Sequence, residues 1–183
     1  MAFDLSRINA RLERIPRGFE GKVSQIGIPK GFAYEDGTPV AYVAAIQEFG
    51  APEVGIPPRS FFRPAVKAKA GNWSALLRGL VKRVGEGQMT ATEALDAVGV
   101  VAATDIQTEI AMTYSPALSP VTVLLRKWRK AGRKITGRTV GEAAAAIAAG
   151  VDPGSDNKPL NDTGLLIASI TSRVGNGSEG FVK

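Results

Sequence analysis

The densest chemistry in this chain is cationic. Between Arg126 and Arg138, the stretch RKWRKAGRKITGR sets seven Lys or Arg residues around one tryptophan, with no acidic residue among them. Guanidinium and ammonium groups bind phosphate oxygens, and an indole between them offers a base a face to stack on. Arg126, Lys127, Trp128, Arg129, Lys130, Arg133 and Lys134 are therefore a candidate contact for genomic DNA or for an acidic protein partner. The competing reading is a solvated helix face, with Trp128 as a core or interface anchor. A second cluster, IPPRSFFRPA over residues 56–65, brackets Phe61 and Phe62 with Arg59 and Arg63. Each guanidinium can hold a carboxylate in a bidentate manner, and Glu48 or Glu53 of an adjacent subunit is the expected partner. Aromatic and arginine side chains concentrate at interfaces, so Glu48, Phe49, Arg59, Phe61, Phe62 and Arg63 are the candidate interface residues. The plainer alternative packs both phenylalanines under their own helix and leaves the arginines in water.

Catalytic chemistry has little to work with. The chain contains neither histidine nor cysteine, which removes Ser-His-Asp and Cys-His nucleophiles, disulfides and zinc sites built on those ligands. The spaced carboxylates Glu93 with Asp96 and Asp105 with Glu109 look like ordinary helix surface. There is no phosphate-cradling loop of the GxxxxGK[ST] type. No enzyme and no cofactor are expected. The net charge of +6 and pI near 9.8 suit nucleic acid, an anionic surface or an acidic protein. No apolar run reaches the roughly 18 residues that a membrane span needs. The N-terminus MAFDLSRINARLERIP is charged throughout, so it lacks a secretory core and the expected compartment is a cytoplasm.

The elements that would position these residues follow from periodicity. Leu5, Ile8, Leu12 and Ile15 predict a short amphipathic helix over 4–15, ended by Pro16 and Gly18. Val23, Ile26 and Ile28 suggest a short strand over 21–28, and 29–38 reads as a loop. Residues 40–49, VAYVAAIQEF, fit either period. The prolines and glycines of 50–59 forbid a regular element there. A long helix is predicted from about Ser60 to Val84, with Trp73, Leu76, Leu77, Leu80, Val81 and Val84 on one stripe. Another opens at the Thr90–Glu93 capping box and carries Leu95, Val98, Ala102, Ile106 and Ile110 inward. Ser119-Pro120 starts a helix to about Lys130, and Thr139 with Glu142 suggests a capping box for the alanine-rich segment that ends at Gly150. The alternation from Leu166 to Val174 suggests a strand, with room for one helical turn after Asp162-Thr163-Gly164. The sum is a single α+β domain over 1–183: a small antiparallel sheet packed against two long helices, with a basic and alanine-rich helical insertion at about 119–157.

Two stretches carry a resemblance. Val43 to Gly50 and Ile56 to Ala65 are similar to a Y-A-x-x-x-E-F-G element followed by I-P-x-R-P-F-x-R-P-A. Pro159 to Ile170 is similar to P-L-x-D-T-G-x-L-x-x-S-I. That pair resembles the virion-morphogenesis and tail-completion proteins of tailed bacteriophages. Val43 stands where the pattern has tyrosine, Ser60 where it has proline, and the order of the elements differs from some relatives. The resemblance implies a structural virion protein forming a ring of about six or twelve copies at the head–tail junction. Its implied partners are the tail terminator or tube on one side and the head connector on the other. Segments 29–38 and 50–59 would then embrace the adjacent subunit. The competing class is a small basic DNA-binding protein acting through Arg126 to Arg138.

Overall fold

A computed structural model of the chain describes residues 13, 15–160 and 162–175. Most of the predicted 4–15 helix lies outside that range. Strand β1 (Val23–Gly27) is followed by α1 (Val40–Phe49), α2 (Phe62–Gly85), α3 (Ala91–Met112), α4 (Pro120–Lys130), α5 (Gly137–Ala148), α6 (Leu165–Ser169) and strand β2 (Thr171–Gly175). The class is α+β. The strands pair antiparallel, Val23 opposite Gly175 through Gly27 opposite Thr171. This sheet rests on α3, and α2 packs along α3 as well, which makes α3 the central element.

Local chemistry explains why the long elements begin where they do. The Thr90 hydroxyl accepts the Glu93 N–H at 3.2 Å, and the Glu93 carboxylate accepts the Thr90 N–H at 2.7 Å, so the predicted capping box starts α3. Ser119 caps α4, with proline at the first helical position as expected. Between α2 and α3 the seam runs through Ala65, Trp73, Leu80 and Val84, and the Trp73 indole N–H donates to Asp105 at 2.7 Å. Leu76, placed on the same stripe by the sequence, sits 37% exposed at the edge of this packing, whereas Leu80 and Val84 are buried. The inward stripe of α3 is observed, with Leu95, Ala102, Ile106 and Ile110 buried.

The sheet approaches α3 at a glycine. A Cβ at Gly99 would lie 2.5 Å from the Ser24 hydroxyl oxygen and 2.8 Å from the Ser172 Cβ. Only a residue with no side chain lets the strands come this close. The main core joins this sheet end to α1 and α6 through Ile28, Val40, Ala44, Phe61, Ile106, Leu166 and Ile170. A smaller cluster, Leu80, Val84, Ala91 and Ala94, closes the α2–α3 turn, with Phe19 against it.

Two sequence expectations change, and two that were left open are resolved. Residues 15–19 are helical, so Pro16 and Gly18 do not end that segment. A Cβ at Gly18 would lie 3.2 Å from that of Ala91, and this close packing outweighs the modest helix penalty of glycine. The ambiguous 40–49 segment is helix α1. The cap of α5 is Thr136 with Thr139, not Thr139 with Glu142, because the Glu142 carboxylate is taken by Arg133 and Arg138. The stretch from Leu166 to Val174 divides at Ile170 into α6 and β2, the first part being the helical turn for which the sequence left room.

Candidate functional site

The residues singled out by type and spacing fall into two places. The first is the junction between α1 and α2. Glu48, near the C-terminal end of α1, is 6% exposed. Its carboxylate accepts the N–H groups of Phe61 at 2.8 Å, Phe62 at 2.9 Å and Arg63 at 3.2 Å. These are donors that the first turn of α2 cannot satisfy within itself, so Glu48 caps a helix that starts fourteen residues downstream. Arg63 closes the arrangement. Its Nε donates to the same carboxylate at 2.8 Å, and its Nη2 donates to the Glu48 carbonyl oxygen and to Ser60 Oγ, both at 2.9 Å. Burial raises the Glu48 pKa, but the Arg63 guanidinium and the three N–H donors together outweigh it and hold the carboxyl below its ordinary value.

Glu48 and Arg63 thus pair inside the chain, not across a subunit boundary as the sequence suggested. Arg59 also turns inward. It is 5% exposed and bonds neutral partners: Nε to the Pro116 carbonyl at 2.7 Å, Nη2 to the Ala117 carbonyl at 3.0 Å and Nη1 to Gln47 Oε1 at 3.4 Å. No carboxylate among the described residues lies within ion-pair distance of it. Burial, with the nearby Arg126 cation, lowers its pKa from the ordinary value. Phe61 is core, which is the plainer alternative named for it. Phe62 is half-buried, and Phe49 is 65% exposed with the Arg63 guanidinium 4.9 Å above its ring. The 50–59 segment folds back on its own chain. A 3₁₀ turn at Pro52–Val54 and a bridge between Ala51 and Ile56 hold it, and the Arg59 N–H donates to the Gln47 carbonyl at 2.6 Å. Residues 29–38 likewise close a turn, with the Tyr34 N–H on the Thr38 carbonyl at 2.9 Å. Neither is an extended arm.

An apolar groove of about 440 Å³ opens beside this junction. Ile26 and Ile28, Ala41 and Ala45 of α1, and Phe49 and Phe62 line it, with Arg63 at its rim.

The second place is the hairpin of α4 and α5, which carries the basic stretch. Seven cations there face three carboxylates. Asp162 pairs with Arg129 and, at 3.5 Å, with Arg126; Asp156 pairs with Lys130; Glu142 pairs with Arg133 and Arg138. Arg126 also donates to the Lys158 carbonyl at 2.8 Å. Trp128 is half-buried, and the Arg133 guanidinium lies 4.0 Å from its ring centroid, covering one face that a nucleobase would need. Lys127 and Lys134 have no ion pair among the described residues.

Asp162, at the start of the Asp162-Thr163-Gly164 turn, ties the hairpin to the body through Arg126 and Arg129, while the Thr163 hydroxyl accepts the Leu165 N–H at 3.2 Å. Nothing local in the sequence signals this, since its partners lie more than thirty positions earlier. Beside it a pocket of about 250 Å³ is walled by Tyr34, Asp36, Arg126, Arg129 and Asp162. Burial, followed by the Asp162 charge, raises the Tyr34 phenol pKa. Among the described residues no three carboxylates gather closely enough to hold a metal ion, and no helix is long and apolar enough to cross a membrane. Comparison with family models, curated proteins and solved structures finds no match to this chain.

Proposed function

We propose that the chain is a structural subunit of a tailed-phage particle that forms a ring at the head–tail junction. One observation carries the reading: the neighbouring motif segments 43–50 and 56–65 and the distant segment 159–170 build one unit. Glu48 of the E-F-G element caps the helix opened by IPPRSFFRPA, while Leu166 and Ile170 of the D-T-G element share a core with Val40, Ala44 and Phe61. The Glu48 and Arg63 charges of this unit serve its architecture, which suits a protein that works by shape. Above that core, Tyr42, Phe49 and Val54 leave apolar surface for neighbours, each more than 60% exposed. A heterologous contact repeated by rotation closes into a ring whose two faces meet different partners, here tail and head.

The alternative, a DNA-binding protein, rests on Lys127, Lys134 and the excess of cations over carboxylates on the α4–α5 hairpin. Five of the seven cations there already have carboxylate partners within the chain, which favours the ring reading.

Light scattering at about 0.1 M and about 1 M salt, with electron microscopy of the same sample, tests the two. Closed rings that survive high salt are expected. A monomer at every concentration and salt level overturns the ring reading, and duplex binding that falls steeply with salt then supports the alternative.

A further inference from the structure

We propose that the groove beside Phe49 receives the loop Pro52–Ile56 of a second copy of this chain. The inference deepens the ring reading, on which it rests for the number of copies.

The groove is lined mainly by apolar side chains, with Glu48 and Arg63 as its charged residues. The two are ion-paired at 2.8 Å and Glu48 is buried, whereas the Arg63 side chain is 61% exposed and its Nη1, with no hydrogen bond among the described residues, is left open to a further acceptor. A fitting occupant therefore brings a small apolar side chain and one free carboxylate. The same chain carries such a feature outside its own groove. In the Pro52–Ile56 loop, Val54 is 67% exposed, and Glu53 beside it is exposed with no ion pair among the described residues. The loop is a preformed projection. The 3₁₀ turn and the Ala51–Ile56 bridge fix its backbone, so little ordering entropy opposes docking. Val54 does not line the groove of its own chain, so knob and hole remain open together on one molecule. Seating Val54 between Ala45 and Phe49 of a neighbour brings Glu53 toward the neighbour's Arg63. Knob and hole are different surfaces, which is the requirement for a heterologous contact that propagates around a ring. The other exposed valine beside a carboxylate, Val151 with Asp152, fits less well. Asp152 already accepts the Gly154 N–H at 2.9 Å.

The absence of cysteine from the chain makes cross-linking clean. Val54→Cys and Ala45→Cys, each checked for a wild-type circular dichroism spectrum, are mixed in equal amounts and oxidised, with Val151→Cys plus Ala45→Cys as the control. A disulfide-linked dimer from the first mixture and none from the control is expected. Glu53→Lys, on an exposed loop, is expected to weaken self-association about tenfold while leaving the fold intact. An oligomer that persists without the 54–45 disulfide, and that Glu53→Lys leaves unchanged, overturns the inference and leaves the ring reading standing. A two-copy species that forms the disulfide keeps the inference and overturns the ring. A monomer at all concentrations overturns both.

Discussion

Replacing Glu48 with alanine takes one acceptor group from four donors at once. Three are backbone N–H groups at the start of α2, and the fourth is the Arg63 Nε. A buried donor left without an acceptor costs about 1–3 kcal/mol, and the Phe61 N–H is fully enclosed. Water can reach Arg63, whose side chain is 61% exposed, so its share is small. The sum, with partial relaxation of the turn, is a loss of about 3–5 kcal/mol. Against a typical domain stability of about 5–15 kcal/mol, that moves the urea midpoint by a large fraction of its value. Glu48→Gln keeps the side-chain length and one carbonyl oxygen, and is expected to lose about 1–2 kcal/mol. The pH dependence supplies a second readout. Because the folded carboxyl titrates below its ordinary 4.5, its contribution is complete above that pH and is lost as pH falls through the folded value. Glu48→Gln removes that component of acid destabilisation. Urea unfolding followed by circular dichroism measures both. A Glu48→Ala protein within about 1 kcal/mol of wild type, with unchanged acid sensitivity, would refute the capping argument.

Two further outcomes follow from packing. Gly99→Ala puts a methyl group against Ser24 and Ser172 and is expected to destabilise by about 1–3 kcal/mol. Gly79→Ala, on the same kind of helix but with open space around it, is expected to stabilise by roughly 0.5–1 kcal/mol; equal effects of the two in thermal unfolding would contradict the proposed sheet contact. Asp162→Asn removes the charge partner of Arg126 and Arg129 and is expected to speed hydrogen exchange in α4 and α5 while leaving α3 unchanged. Unaltered exchange across the hairpin would show that the Asp162 pairs do not hold it to the body.

What the sequence disclosed was local. Thr90 and Glu93 lie one helical turn apart, and Ser119 stands directly before Pro120, so the starts of α3 and α4 needed no tertiary information. The α3 stripe was legible for the same reason, since its period is set by the helix itself. The partners of Glu48, Arg59 and Asp162 were not. They depend on how the Gly50–Ile56 turn returns the chain and on where α4 lands, separations of twelve to fifty-eight residues. Thr139 and Glu142 misled because correct spacing cannot reveal that Arg133 and Arg138 compete for the same carboxylate. Residues 40–49 were undecidable because a run of small and apolar residues offers both periods; packing against Phe61 and Leu166 settles the matter.

The position of Glu48 also sets how force passes through the molecule. The carboxylate belongs to α1, yet it completes the first turn of α2, a helix of 24 residues and so about 36 Å long. A neighbour that pushes on the exposed face of α1 cannot shift it without either dragging the base of this rod or uncovering three N–H groups. The far end of that rod is not free either, because Leu80 and Val84 are buried against Ala91 and Ala94 at the start of α3. A load on α1 therefore passes through the Glu48 joint into the packed α2–α3 pair, so the face built around α1 is backed by the two longest helices of the subunit.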